Sequence, residues 1–515
     1  MNLLKTLAAI SSMTMLSRIT GLLREILFAR AFGAGAYTDA FNVAYRIPNL
    51  LRRLFAEGAF SQAFVPILSE YKNKQGHDAS KNLADHVGTT LVWATVIVTI
   101  IGMIASPLFV LLIASGLQAE SFDAAVWMTR IMFPYIAFMS FVALSGGILN
   151  TWSEFKIPAV TPVLLNISSI VAAMFVQQHL EHPIYAMAFA VIAGGILQVA
   201  IQIPALLKIR MLPRLSLNPM TGLRDPGVRR VLRKMGPAVF AVSAAQISLM
   251  INTSIASHLR EGSISWLTYA DRLMEFPTAL LGVALGTILL PNLSKANASG
   301  DKEEYSSLLD WGLRLTFLLA MPSAVGLAML AEPLIATLFH YGKFTAEAAR
   351  MSAQPLIAYS VGLLGIILVK TLAPAFYAQQ DIRTPVKIAI GVLIATQLMN
   401  ALFVPHLAVA GLALSIGMGA CLNAGFLYTG LRKRGIYNPK PGWPLFFGKL
   451  VVACVLMGAT AWFGAAQVDW LGMKHQTLLR IGALTLVIAA CGVVYFGALM
   501  AMGFRFRDFK RTSRP

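Results

Sequence analysis

Long apolar stretches separated by short polar segments run along the whole sequence. Segments 87–114 and 184–206 contain no charged residue and show no alternation of polar and apolar positions. They therefore predict membrane-spanning helices and not the strands of a membrane barrel. The same pattern predicts an all-α polytopic membrane protein with fourteen transmembrane helices. The predicted spans are 5–29, 38–68, 87–114, 124–150, 158–178, 184–206, 236–257, 264–292, 312–338, 354–378, 385–404, 408–431, 446–466 and 478–503.

Basic residues in the loops predict the orientation. Loop 207–235 carries eight Lys and Arg residues and the tail 504–515 carries five, whereas loops 115–123, 179–183 and 405–407 carry none. Because basic loops stay on the cytoplasmic side, we expect both termini to be cytoplasmic. The first span resembles a signal peptide but lacks a small-residue cleavage site, so it is expected to remain in the protein.

Three proline-centred motifs occur twice along the chain, which predicts an internal duplication. VPILSEY recurs as LPNLSKA, ASPLFVLL as AEPLIATL, and EFKIP as QDIRTP, at offsets of 225 to 227 residues. Two copies of a six-span unit enter the membrane in the same orientation, as in the parallel repeats of transporters. The predicted parts are an N-lobe at 1–210, a basic linker at 211–235, a C-lobe at 236–434, and two further spans with a basic tail at 435–515.

Composition excludes several classes of protein. With 57% hydrophobic and only 13% charged residues, the chain is neither a soluble enzyme nor a disordered protein. The net charge of +19 is explained by cytoplasmic loops facing anionic lipid headgroups, so we expect no nucleic-acid partner. No H-E-x-x-H motif, P-loop or nucleophile elbow is present. The sequence thus favours a transporter without catalytic chemistry, metal or cofactor, and the three cysteines are interpreted as small core residues.

Charged residues inside the predicted spans indicate where the function lies. Each charge facing lipid at the bilayer centre costs roughly 2.5–3.5 kcal/mol, so we expect these side chains to line a water-filled cavity between the lobes. Arginine is in excess there, and guanidinium groups bind phosphate in a bidentate manner. The predicted substrate-binding residues are Arg18, Arg24, Asn49, Arg52 and Arg272, and the predicted wall or gating residues are Ser17, Asp39, Arg53, Glu57, Asp271 and Lys370.

Other interpretations of these charges stay open. Arg53 and Glu57 are four residues apart and so can form a simple intrahelical pair. Arg24 and Asp39 can lie at the membrane interface, with their charged ends in water. The second span would be about 46 Å long as one helix, so we expect it to bend at Pro48.

Three segments resemble the MurJ (MviN) family of lipid II flippases, within a wider superfamily that includes the MATE multidrug antiporters. They are MNLLKTLAAISSMTMLSRITGLLRE, TDAFNVAYRIPNLLRRLFAEGAFSQAFVPILSEY and SWLTYADRLMEFPTALLGVALGTILLP. The resemblance implies transfer of lipid II, an undecaprenyl diphosphate carrying a disaccharide-pentapeptide, to the periplasmic leaflet of the bacterial inner membrane for peptidoglycan synthesis. It also implies functional roles for Arg18, Arg24, Arg52 and Arg272, acidic residues at Asp39, Glu57 and Asp271, and a hydrophobic groove for the lipid tail at 446–503.

The sequence leaves some alternatives open. Membrane-potential or ion coupling is undecided, and cell-wall synthesis proteins stay open as partners besides lipid II and membrane lipids. A cation-coupled antiporter of small molecules on the same fold would depend on carboxylates rather than on arginines. A membrane scaffold for cell-wall enzymes would tolerate neutralisation of all the cavity arginines.

Overall fold

The computed structural model describes residues 3–53 and 59–505, which contain helices and no β-strand. The twenty α-helices of this part are α1 (Leu3–Phe32), α2 (Ala36–Arg52), α3 (Ala59–Lys74), α4 (Gly76–Ile104), α5 (Ser106–Ala114), α6 (Ala119–Met132), α7 (Tyr135–Thr151), α8 (Lys156–Val171), α9 (Tyr185–Lys208), α10 (Met220–Leu223), α11 (Pro226–Ser257), α12 (Ser263–Pro277), α13 (Ala284–Ala298), α14 (Lys302–Met329), α15 (Ala331–Phe339), α16 (Ala346–Tyr377), α17 (Arg383–Leu407), α18 (Val409–Lys433), α19 (Trp443–Ala466) and α20 (Thr477–Ala501).

Each predicted span falls on one helix or on two successive helices, which confirms the all-α polytopic class. In the described part, ten helices are long and apolar enough to cross a membrane. The count of fourteen spans is consistent with this result and stays a prediction. Two spans break next to a recurring proline, because proline lacks a backbone donor and disrupts a continuous helix. Pro107 follows the break between α4 and α5, and Pro333 follows the break between α14 and α15.

The second and eighth spans occupy equivalent places in the repeat, and the eighth includes an interruption of regular α-helix. Pro48 lies inside α2, and residues 54–58 between α2 and α3, which include Glu57, lie outside the described part. In the eighth span, α12 continues through a π-helical segment, Thr278–Val283, into α13. Such π segments are frequent at functional sites.

The chain forms two compact units, Met1–Ile264 and Ser265–Pro515. In the first unit, Phe60, Phe64 and Leu144 belong to a buried cluster shared by α3, α4 and α7. In the second unit, one cluster joins α13, α14, α16 and α18, and another joins α14, α19 and α20. The predicted lobe boundaries at residues 210, 236 and 434 stay a prediction.

Local structure repeats with the same offset as the proline motifs. Arg210 and Gly435 both have a positive φ, 56° and 68°, just after α9 and α18. The following amides close equivalent helix ends, because Met211 N–H donates to the Leu206 carbonyl and Ile436 N–H donates to the Leu431 carbonyl. The duplication predicted from the proline motifs therefore extends to the details of the backbone.

An ion pair is also repeated at the ends of these helices. Lys208 Nζ lies 3.0 Å from Glu154 Oε1, and Arg434 Nη1 lies 2.7 Å from Asp381 Oδ2. Each pair joins the turn before the fifth span of a repeat (α8 or α17) to the end of the sixth span (α9 or α18). The side chain of Thr384 and the guanidinium of Arg434 donate to Asp381 and lower its pKa to about 2.

Candidate functional site

The candidate residues are concentrated on three of the predicted spans. With the exception of Lys370, every candidate residue predicted from the sequence belongs to the first, the second or the eighth span. Helix α1 forms the first of these spans, α2 and α3 contribute to the second, and α12 and α13 contribute to the eighth. Because the second and eighth spans occupy equivalent places in the two repeats, part of the candidate charge lies on equivalent helices of the two copies.

In the first unit, an asparagine of α8 connects three residues of α1. Asn166 is only 6% exposed. Its Oδ1 accepts a hydrogen bond from Arg24 Nη1 at 3.1 Å, and its Nδ2 donates to the Ser17 carbonyl and to Thr20 Oγ1, each at 3.1 Å. Arg24 Nη2 also lies 2.6 Å from Glu25 Oε1. The guanidinium of Arg24 is therefore held in place by two partners.

The structure brings Ser17 and Arg24 together through Asn166 and leaves Arg18 exposed. The sequence analysis missed Asn166. Its signal was a polar amide within the apolar span 158–178. A buried amide needs hydrogen-bond partners, and its position in the span does not identify them.

Asp39 lies at the start of α2 and is only 4% exposed. Its Oδ2 accepts a hydrogen bond from the backbone N–H of Gly262 at 2.8 Å. A second bond runs in the same region from the Ala36 N–H to Glu261 Oε1, at 3.1 Å. Two carboxylates thus tie the start of α2 to the segment immediately before α12, within the first unit.

The remaining candidates on the second span are only partly described. Asn49 and Arg53 are half-buried, and the backbone N–H of Arg53 donates to the Asn49 and Leu50 carbonyls. Arg52 is the last residue of α2, and its side chain lies outside the described residues, as does the whole of Glu57. The proposed pair between Arg53 and Glu57 stays a prediction for this reason.

In the second unit, Asp271 and Arg272 lie on α12 and are half-buried. Arg272 Nη1 is 3.2 Å from Glu275 Oε2, one helical turn further along. Lys370 of α16 passes directly over the π-helical segment that follows α12. A methyl group added at Gly282 would lie 2.5 Å from Lys370 Cδ. The structure therefore brings Lys370 against the same polar span that carries Arg272.

The second unit also contains an apolar cavity of 480 Å³. Its walls come from α14, α16, α18, the start of α19 and the segment before α19. Among the lining residues are Phe317, Leu368, Tyr437, Trp443 and Phe447. Phe447 is the one lining residue that belongs to the predicted tail groove at 446–503. Cys421 lines this cavity too, so the interpretation of all three cysteines as core residues is wrong for Cys421, whereas Cys454 and Cys491 are buried.

Arg480, near the start of α20, is a second residue that the sequence analysis missed. Its side chain is fully buried, and its Nη1 and Nη2 donate to the backbone carbonyls of Trp470 and His340. Its guanidinium also lies 4.8 Å from the ring centre of Tyr341. These contacts fasten the end of α15 to α20, and they explain how this charge is accommodated at the edge of an apolar span. The convergence of Arg272 with the arginines of α1 and α2 stays a prediction.

Comparisons with known proteins agree with this description. A family model described as Lipid II flippase MurJ matches residues 28–481. A lipid II flippase MurJ from Burkholderia cenocepacia is 58% identical over 516 residues, which cover 100% of both chains. A probable lipid II flippase MurJ from Vibrio cholerae is 39% identical, over 99% of this chain and 98% of its own.

Solved structures show a similar fold. A lipid II flippase MurJ in an inward closed conformation matches with a TM-score of 0.78 and 25% identity, covering 95% of this chain and 99% of that chain. An inward-facing MATE multidrug transporter matches with a TM-score of 0.66 and 15% identity, covering 83% of this chain and 98% of that chain. The likeness to the MATE transporter concerns the fold alone.

Proposed function

We propose that this chain, which belongs to the lipid II flippase MurJ family, moves lipid II from the cytoplasmic to the periplasmic leaflet of the bacterial inner membrane. The family is one of multi-pass membrane transporters and not of enzymes. The observation that carries the proposal is the concentration of the candidate charges on the first, second and eighth spans, the last two of which occupy equivalent places in the two repeats. Helices of this kind line a polar path, because charges facing lipid are costly.

The arginines of these spans bind the diphosphate of lipid II in our proposal. A charged headgroup without such partners would face a transfer cost of tens of kcal/mol in hydrocarbon. Arg24 is suited to binding because Asn166 and Glu25 already orient its guanidinium, which lowers the entropy lost when a ligand binds. Arg18, Arg52 and Arg272 supply the further positive charge, with Asn49 as a neutral donor and acceptor. Ser17, Asp39, Arg53, Glu57, Asp271 and Lys370 line or gate the same path.

The hydrocarbon tail of the substrate occupies apolar surface of the second unit. The cavity between α14, α16, α18 and α19 offers such a surface, since its lining is aliphatic and aromatic. The two units then move in alternation to open the headgroup path to one side of the membrane at a time. Both termini are cytoplasmic in this arrangement, as the basic loop 207–235 favours.

The membrane potential is the simplest driving force, and no cofactor is needed. A potential that is negative inside favours outward movement of an anion by about 2.3 kcal/mol per charge per 100 mV. Two diphosphate charges that cross the full field would gain about 4–5 kcal/mol. Coupling to an ion gradient would act in addition to this term.

Reconstitution tests the proposal directly. Proteoliposomes with headgroup-labelled lipid II are assayed for the leaflet that the label occupies, with and without an imposed voltage. We expect transfer by the native protein, a loss of at least tenfold for Arg272→Ala, and native transfer for the control Arg350→Ala, which removes an exposed arginine of the same unit. Full transfer by Arg272→Ala, with native amounts of protein in the vesicles, would refute the role of the arginines.

A further inference from the structure

A buried carboxylate of α14 organises the segment that connects α18 to α19. Asp310 is only 2% exposed. Its Oδ1 accepts three hydrogen bonds from this segment, from Tyr437 Oη at 2.8 Å, from Trp443 Nε1 at 2.9 Å and from the Lys440 N–H at 3.1 Å. One oxygen atom thus fixes the two ends and the middle of the connection.

Arg314, one turn further along α14, completes this arrangement. Its Nε lies 2.8 Å from Asp310 Oδ2, and its Nη2 donates to the Pro441 carbonyl at 3.1 Å. Its guanidinium lies 4.7 Å from the ring centre of Trp443. The carboxylate and the guanidinium together hold both the backbone and the indole ring of the connecting segment.

The residues that Asp310 holds are also walls of the apolar cavity. Tyr437 and Trp443 line the cavity while their polar atoms are bonded to Asp310. The hydroxyl and the indole N–H are thereby satisfied outside the cavity, and the aromatic faces are left for apolar contact. Without the carboxylate, the buried hydroxyl of Tyr437 and the half-buried indole N–H of Trp443 would each need another partner.

The first repeat contains one of these contacts, the hydrogen bond to the backbone of the connection. Asp85 of α4 stands 225 positions before Asp310, and its Oδ1 accepts the backbone N–H of Arg214 at 2.7 Å. Arg214 stands 226 positions before Lys440. It lies in the connection that follows α9, the sixth span of the first repeat. The hydrogen bond to the backbone of the connection is therefore common to both copies, and the contacts of Arg314 and of the aromatic cavity wall belong to the second copy.

We propose that Asp310 is a positioning residue for recognition of the substrate's hydrocarbon tail. It acts through Tyr437 and Trp443, whose faces it holds against the chain that enters the cavity. The proposal rests on the proposed function and extends it by assigning the determinant of tail recognition. The occupant is the polyisoprenoid chain of the transported lipid, because the lining is apolar and the cavity lies in a protein of the lipid II flippase family.

Cys421 provides a probe within the cavity. In a protein whose Cys454 and Cys491 are replaced by alanine, the rate of Cys421 modification by an apolar maleimide is measured with undecaprenyl diphosphate, with farnesyl diphosphate or with phosphatidylglycerol. We expect undecaprenyl diphosphate to slow modification at least fivefold, and the short-chain diphosphate and the phospholipid to have little effect. Equal protection by phosphatidylglycerol would overturn the assignment of the occupant.

Variants then test the role of Asp310. Asp310→Leu should lose the protection, and Asp310→Asn, which keeps an acceptor for Tyr437 and Trp443, should keep most of it. The matched control Asp85→Leu should keep it in full. Native protection in Asp310→Leu, or an equal loss in Asp85→Leu, would overturn the proposal. If Asp310→Leu does not fold, loss of protection in a folded Asp310→Asn variant would overturn it instead.

The readout separates this proposal from the proposed function. Protection of Cys421 needs no transport, so the two can fail independently. A native protein that moves lipid II, together with an Asp310→Leu variant that retains tail-dependent protection, contradicts the positioning role alone. A native protein that shows tail-dependent protection but moves no lipid II contradicts the proposed function alone.

Discussion

Replacement of Asn166 by alanine tests how the first unit presents Arg24. The change removes one hydrogen bond from a guanidinium and two neutral hydrogen bonds, all at 3.1 Å. Neutral bonds contribute about 1 kcal/mol each and a bond to a charged group about 2 kcal/mol, so the free energy of unfolding should fall by about 4 kcal/mol. Because Arg24 loses a partner that orients it, we expect affinity for undecaprenyl diphosphate to fall about tenfold, equivalent to about 1.4 kcal/mol.

The assay combines equilibrium binding of undecaprenyl diphosphate with thermal unfolding of the purified protein. Gln198→Ala is the matched control, since Gln198 is also a buried amide, bonded to the Thr161 carbonyl and to Tyr135 Oη. It should lower stability and leave affinity unchanged. In an Arg24→Ala background, Asn166→Ala should have little further effect on affinity, because the two residues act together. Additive losses of affinity in the double variant would refute this reasoning.

Three further predictions concern other parts of the chain. Gly282→Ala should impair transport, because the added methyl group displaces Lys370. The control Gly286→Ala should not, since its added methyl group would meet only the Lys370 carbonyl oxygen, at 3.4 Å. Equal transport by both variants contradicts this role of Gly282. Burial, together with Lys474 and Arg480, lowers the pKa of His340 from 6.5 to about 4. The unfolded chain therefore binds a proton first as the pH falls, and stability should drop by about 2 kcal/mol between pH 6.5 and pH 5. His340→Gln should flatten this part of the profile of unfolding temperature against pH, and an unchanged profile counts against it. Glu154→Gln, which breaks the pair with Lys208, should cost less than about 1 kcal/mol in chemical unfolding, because Lys208 is exposed; a larger loss contradicts this.

The sequence was sufficient to predict the all-α polytopic class and the recurrence of local structure along the chain. Apolar length alone locates a membrane helix, and the recurring prolines mark the places where equivalent helices break, as at Pro107 and Pro333. Charges within spans were visible for the same reason, since each one interrupts an apolar run. These features are local, so one sequence is enough to reveal them.

The partners of the polar residues could not be predicted in the same way. Arg24 and Asn166 are 142 positions apart, and only the packing of α1 against α8 brings them together. Arg480 is satisfied by backbone carbonyls, which leave no trace in the sequence. Asp310 lies just before the predicted span 312–338, where an acidic residue resembles an ordinary loop residue.

The cysteine interpretation was wrong at one position for a related reason. Cys421 lies in an apolar run like the other two cysteines, but it faces a cavity rather than a packed core. Apolar composition predicts that a side chain avoids water, and it does not distinguish a filled interior from an apolar cavity.

The central proposal is that the candidate arginines bind the diphosphate of lipid II. A structure of the protein with lipid II bound tests it most directly. We predict diphosphate oxygens at about 2.8 Å from the guanidinium nitrogens of Arg272 and of at least one of Arg18, Arg24 and Arg52. A diphosphate bound away from Arg272, or arginines directed toward acyl chains, would contradict the account.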